Sequence, residues 1–153
     1  MSVIDAGEVI MQFLTTAEIG AVHCKVPHDN NGRIGAYNSM KDTVLKLKQE
    51  HPGVVLVIDL HGSDSSSQIL FDIGSETKYA WKENLLVATK LCYNMDRNDT
   101  AIRILPDNLG QDNGIITINV SLGQEEADDS FARELIADLS LGIISLFAES
   151  TPD

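Results

Sequence analysis

Apolar residues in this chain change their spacing several times along its length, and this alternation constrains the fold more than any other feature. Helical spacing is found within residues 9–17, 37–47, 81–95 and 131–146. Strand-like apolar runs are found at residues 21–26, 54–60, 68–73, 101–105 and 115–122. Strands that alternate with helices are typical of a layered fold. We therefore expect one α/β domain over residues 1–153, with a mixed, mostly parallel central sheet flanked by helices.

The run from Val54 to Leu60 is apolar on both faces except for Asp59, which predicts a central strand covered on both sides. Asp59 and His61 come at its carboxyl end, where ligands collect in open α/β sheets. An imidazole beside a carboxylate can act as a general base or as a metal ligand, and Asp64 adds an oxygen ligand in D-x-H-x-x-D. A zinc hydrolase needs about three protein ligands, and a lone histidine supplies only one. A polar histidine at the end of a strand therefore remains the alternative interpretation.

Composition argues against several classes of partner. The chain is 43% hydrophobic over 153 residues, which is enough for one domain with a core. Its formal net charge of -12, with no cluster of Lys and Arg, disfavours a nucleic acid or an anionic membrane. No stretch approaches the roughly 18 apolar residues of a membrane span, and the amino terminus lacks a basic signal segment. We expect a cytoplasmic chain without a membrane segment.

The remaining polar stretches are explained without catalysis. The hydroxyl-rich segment GSDSSS, residues 62–67, leads into a strand rather than a helix, so it predicts a polar turn and no phosphate site. No G-x-S-x-G elbow occurs, which makes a serine hydrolase a remote alternative. Asp5 and the acidic run at residues 125–129 are expected to cap two helices, because helix N-termini favour negative charge. Gly20 is expected to end the first of these helices.

Five segments, taken in their order, resemble the stage II sporulation protein P family: GRIGAYNSMKDTVLK, PGVVLVIDLHGSDS, ILFDIGSETKYAWKENLLVATKL, AIRIL and LGQDNGIITINVSLGQEEADDSFARELIADLS. The resemblance runs from residue 5 to residue 147. Its most specific pieces are D-x-H at 59–61, W-x-x-N-L-x-x-A at 81–88, Gln111-Asp112 and the E-E-A that opens the last helix. The family consists of zinc-dependent peptidoglycan amidases and endopeptidases. The resemblance therefore implies a fold similar to N-acetylmuramoyl-L-alanine amidase domains.

The resemblance also implies roles for individual residues. The family's D-x-H histidine ligates zinc, and His61 matches it. The other ligands, a His and a Glu, come from a first strand that precedes a helix resembling residues 5–17, so that strand is expected to be missing here. The family's Arg-Asp after the histidine is replaced by Gly62-Ser63, and its catalytic Glu, in a context like I-E-V-G, is replaced by Asn119.

The replacement at Asn119 has a chemical consequence. A carboxylate can take a proton from zinc-bound water and return it to the leaving amine, whereas a carboxamide cannot. A single imidazole also binds zinc weakly. We therefore expect a degenerate relative with no catalytic residue and no cofactor, unless further residues complete a zinc site at His61. Its crevice is expected to bind a peptidoglycan-like ligand or a protein partner, with hydrogen-bonding candidates Asn84, Gln111, Asp112 and Asn119.

Two alternatives from other classes stay open. The chain is a fragment of an active, extracytoplasmic zinc-dependent peptidoglycan amidase if the missing strand belongs to a longer protein. The other alternative is a cytoplasmic interaction domain that forms a homodimer, or binds another protein, through the sheet edge left open. Upstream coding sequence with a signal or transmembrane segment would favour the fragment.

Overall fold

The computed structural model describes residues 1–23, 32–53, 56–64, 66–74, 81–95, 100–105 and 116–149. The helices of these residues are α1 (Val3–Thr16), α2 (Gly32–Glu50), α3 (Trp81–Met95) and α4 (Asp129–Glu149). The strands are β1 (Leu56–Ser63), β2 (Gln68–Gly74), β3 (Thr100–Leu105) and β4 (Ile116–Gly123). A 3-10 turn over Glu126–Asp128 leads from β4 into α4. These helices and strands lie in regions where the apolar spacing predicts them, but the strand predicted at residues 21–26 is not among them.

The described strands form one sheet in the order β1-β4-β2-β3. β1 pairs with β4 in parallel, and β2 pairs with β3 in parallel. The two pairs are joined by an antiparallel contact between β4 and β2. The prediction of a mixed, mostly parallel sheet flanked by helices is therefore confirmed.

The two faces of this sheet differ in chemistry because side chains alternate along each strand. One face is apolar and fully buried where Ile118, Val120 and Leu122 of β4 adjoin Ile69 and Phe71 of β2. Helices α1, α3 and α4 contribute to the same core through Ala6, Ile10, Leu14, Ala88, Leu91, Met95, Ala132, Leu135, Ile136, Leu139 and Ile143. Each large apolar side chain buried there contributes roughly 1.5–3 kcal/mol.

The prediction that β1 is central is wrong for the described sheet. β1 lies at one edge, next to β4, and its residues 56–60 are half-buried rather than fully covered. Leu56, Ile58 and Leu60 pack against the core, whereas the intervening side chains belong to the other face. One apolar face is enough to explain the apolar run. The strand also continues to Ser63, so His61 lies within it rather than after its end.

The first helix also begins and ends differently from the prediction. Its N-cap is Ser2, whose side chain accepts a hydrogen bond of 3.1 Å from the backbone N–H of Asp5. Asp5 therefore lies in the first turn and is not the cap. The helix ends at Thr16, and the left-handed residue that follows is Glu18, with φ of 59°, rather than Gly20.

The strand predicted at residues 21–26 is absent where the chain is described, since Ala21–His23 lie in no strand; residues 24–26 are outside the described residues. Within the described residues, no helix combines the length and the apolar character needed to cross a membrane.

Candidate functional site

Strands β1 and β4 place four polar side chains next to each other. Their parallel register sets Asp59 opposite Asn119 and His61 opposite Ser121. Residues opposite each other, and residues two apart on one strand, share a face of the sheet. The four side chains therefore form a patch, called here the polar patch, near the carboxyl ends of both strands. It lies on the face opposite the apolar core.

His61 is the centre of the polar patch. Its Nε2 lies 2.9 Å from the hydroxyl Oγ of Ser121, within hydrogen-bonding distance. Its Nδ1 lies 3.7 Å from Oδ1 of Asp59, a distance that allows an ion pair when the imidazole is protonated. The imidazole is therefore held between a hydroxyl group and a carboxylate. When Nε2 is unprotonated, the Ser121 hydroxyl donates to it.

The electrostatic environment of His61 favours its charged form. The nearby carboxylate of Asp59 raises the pKa of His61 above its ordinary value of 6.5, chiefly because its oxygen faces the Nδ1–H of the ring; partial burial lowers the pKa by less, and the negative charge of Asp59 adds to the rise. The side chains of His61 and Asp59 remain 45% and 29% exposed. A ligand from solvent can therefore reach the imidazole directly.

Asn119 and Thr117 extend the same face along β4. Asn119 is half-buried and lies between Asp59 of β1 and Leu70 of β2 in register. Thr117 is only 3% exposed, and its Oγ1 has no hydrogen-bond partner among the described residues. Along this face of the sheet, exposure thus falls from the imidazole of His61 to the buried hydroxyl group of Thr117.

The structure places the predicted site residues unequally. It places His61 and Asn119 on neighbouring strands and the same face, offset by two residues in register. Asn84 lies in α3, and its side chain is outside the described residues. Gln111 and Asp112 lie outside the described residues altogether. Their proposed roles, like that of Asn84, stay predictions.

The described groups next to His61 do not by themselves make up a catalytic zinc site. Such a site takes about three protein ligands with an open fourth position. The polar groups that lie beside the His61 ring are the hydroxyl of Ser121 and the carboxylate of Asp59. No three His, Cys, Asp or Glu side chains of the described residues are arranged to hold a metal ion. The His23 ring lies against α1, where a Cβ on Gly7 would meet its Nε2 at 2.7 Å.

Sequence reasoning missed Ser121 as a member of the site. The alternation of apolar and polar residues in β4 does place Ser121 on the face of Asn119. Its position opposite His61 depends on the register between strands 60 residues apart in sequence. No local pattern encodes that register.

Comparison with known protein families identifies a match. The family model described as Stage II sporulation protein P matches residues 1–98 of the 153. The matched part contains His61 and ends before β3, so Asn119 and Ser121 lie outside it. Searches of the curated proteins and of the solved structures gave no match.

Proposed function

Because the chain belongs to the stage II sporulation protein P family, we propose that its polar patch binds a peptidoglycan-like peptide or glycan and does not hydrolyse it by the family's zinc chemistry. The resemblance implies that members of this family act on peptidoglycan as zinc-dependent amidases. By the same resemblance, the patch keeps the position of one zinc ligand at His61 and carries a carboxamide, Asn119, in place of the catalytic glutamate.

One observation carries this proposal. His61 and Asn119 lie on neighbouring strands of one face, with Asn119 opposite Asp59 and His61 opposite Ser121 in register. The two positions that the resemblance assigns to the family's chemistry therefore share one face of the sheet. The second one can donate and accept hydrogen bonds but cannot carry a proton from water to a leaving amine. This supports recognition without amide hydrolysis.

The chemistry of the patch suits an uncharged, hydroxyl- and amide-rich ligand. Imidazole, hydroxyl and carboxamide groups can each donate or accept hydrogen bonds, as sugar hydroxyls and peptide amides require. Asp59 and the formal net charge of -12 disfavour strongly anionic ligands. Asn84, Gln111 and Asp112 remain further proposed contacts to the same ligand.

Cosedimentation with purified peptidoglycan sacculi tests the proposal. We expect the protein to pellet with sacculi, and His61→Ala and Asn119→Ala to weaken binding by at least about fivefold, as expected for the loss of a net hydrogen bond of about 1 kcal/mol. His51→Ala is the matched control, because His51 is exposed and precedes β1. Wild-type protein that stays in the supernatant at every concentration would contradict the proposal.

A zinc measurement separates this proposal from an active amidase. The protein is dialysed against zinc and then buffer, and its metal content is measured beside that of His61→Ala. We expect no retained zinc in either protein and no release of peptide from sacculi. Stoichiometric zinc that disappears in the variant, together with peptide release, would instead support the fragment of an active amidase. Such a result would mean that residues beyond the polar patch complete the site.

The position of β1 favours a second candidate, an interaction domain. In the described sheet β1 has a strand neighbour on one side, and edge strands present unpaired backbone groups to other chains. This candidate predicts a homodimer or a complex with another protein, in the cytoplasm. Cell fractionation combined with sedimentation equilibrium distinguishes the two functions. A monomer recovered with the cell wall would contradict the second candidate.

A further inference from the structure

Three side chains of the polar patch lie in the order of a hydroxyl nucleophile, a base and a carboxylate. The Oγ of Ser121 lies 2.9 Å from Nε2 of His61, and Nδ1 on the other side of that ring lies 3.7 Å from Oδ1 of Asp59. A nucleophile within hydrogen-bonding reach of a base, with the base oriented by a third group, is the arrangement of nucleophilic catalysis. It recurs on unrelated folds and is recognised by geometry rather than by sequence position.

We propose that Ser121 is an activated nucleophile that takes the acyl group of a neutral carboxylic ester, with His61 as its general base and Asp59 as the residue that positions the imidazole. This activity would be independent of metal. It goes beyond peptidoglycan binding and uses the same patch without depending on that ligand.

The proposed reaction needs only the ester and water. Oγ of Ser121 attacks the carbonyl carbon while its proton passes to Nε2 of His61. The tetrahedral intermediate collapses with cleavage of the ester C–O bond, and the departing oxygen takes the proton from His61 and leaves as an alcohol. Water then attacks the acyl-serine and gives a proton to His61. Collapse of the second intermediate releases the carboxylic acid, and the proton returns to Oγ of Ser121.

The surroundings of Ser121 meet two further requirements. The His61 side chain is 45% exposed, so a small ester can reach the pair from solvent. Asn119 precedes Ser121 by two residues and shares its face, and a side-chain amide is a suitable donor to a developing oxyanion. The acidic groups Asp59 and Asp64 favour a neutral ester over an anionic one.

Active-site labelling tests the proposal with the intact chain. Protein in EDTA is treated with a fluorophosphonate probe, and the modified residue is mapped by mass spectrometry; hydrolysis of p-nitrophenyl acetate is followed in parallel. We expect the label on Ser121 and release of nitrophenolate, with both abolished in Ser121→Ala. His61→Ala should lower the labelling rate at least about 100-fold, as loss of a general base does.

Further variants separate positioning from mere stability. Asp59→Asn should slow labelling and Asp59→Glu should restore part of the rate, whereas Ser66→Ala, at an exposed serine, should leave the rate unchanged. Circular dichroism verifies that each variant is folded. Labelling of wild-type Ser121 no faster than that of Ser66, or equal labelling in His61→Ala, would overturn the proposal. The comparison of Ser121 with Ser66 uses the wild-type protein alone, so it remains valid even if a variant does not fold. Binding to sacculi is measured separately, so either proposal can fail alone.

Discussion

The protonation of His61 depends on two side chains that lie beside its ring. The hydroxyl of Ser121 lies at one ring nitrogen and the carboxylate of Asp59 at the other. The carboxylate stabilises the imidazolium, whereas a neutral imidazole can accept a hydrogen bond from the hydroxyl. The protonation state of one side chain therefore decides whether the patch presents a cation or an acceptor.

Asp59→Asn should lower the pKa of His61, because the substitution removes the hydrogen-bonding carboxylate that raises it. NMR titration of the imidazole protons in EDTA measures this, with His51 as a reference signal. In the folded wild type the pKa is above 6.5, so the Asp59–His61 attraction stabilises the fold fully below that pH and is lost as pH rises through the raised pKa. Urea denaturation at pH values from below 6.5 upwards should show this loss of stability in the wild type and a smaller loss in Asp59→Asn. An unchanged His61 titration would contradict the assignment.

The N-terminus of helix α1 is capped, because the Ser2 side chain accepts a hydrogen bond from the N–H of Asp5.

Helices α1 and α4 each contain a glycine, and the two glycines have different neighbours. In α1, a Cβ on Gly7 would meet the exposed ring of His23 at 2.6 Å. In α4, a Cβ on Gly142 would meet Cγ of Met95 at 3.0 Å, and Met95 is buried between helices. The same substitution therefore has different consequences in the two helices.

Gly7→Ala should stabilise the fold by up to about 1 kcal/mol, because alanine favours helix and the exposed His23 ring can swing away. Gly142→Ala should lack this gain, because the buried Met95 must shift and overpacking costs about 1–3 kcal/mol. Chemical denaturation of both variants provides the comparison. Equal stabilisation by both substitutions would show that the α3–α4 contact is looser than described.

Ser2→Ala should destabilise the protein by about 1 kcal/mol, because the N–H of Asp5 loses its side-chain acceptor. Ser2→Asp is the matched control, since it keeps an acceptor oxygen and adds a charge that the helix N-terminus favours. The free energy of unfolding in urea measures both effects. A loss of stability in Ser2→Asp equal to that in Ser2→Ala would refute the capping role.

At the scale of the whole molecule, a buried serine joins three distant segments. Oγ of Ser67 donates to Asp128 at 2.5 Å and accepts from the N–H of Gly123 at 2.9 Å. Ser67 is 4% exposed, so these bonds are shielded from water. They connect the start of β2 to the end of β4 and to the turn before α4. This connection holds the polar-patch end of the sheet together.

Ser67→Ala should cost roughly 1–3 kcal/mol, because the N–H of Gly123 and a carboxylate oxygen of Asp128 lose a buried partner. Ser66→Ala, one residue earlier and exposed, should change stability by less than about 0.5 kcal/mol. Thermal and urea denaturation give the two values. Equal effects would mean that the network contributes nothing to global stability.

The sequence alone determined the mixed α/β class and the regions of the described helices and strands, and it placed Asp59 and His61 close together near the end of β1. These properties depend on apolar periodicity and on neighbours such as Asp59, which act over a few residues. The local signal misjudged β1, because one apolar face and two apolar faces produce similar short runs.

Tertiary structure decided which polar residues meet. β4 inserts between β1 and β2, and this placement brings Ser121 to His61 and Asn119 beside Asp59. It also buries Ser67, which its hydroxyl-rich segment indicates only as a turn residue. The physical reason is that strand order and register are set by the packing of the entire apolar face against α1, α3 and α4. That packing sums contacts between residues far apart in the chain, which no local pattern contains.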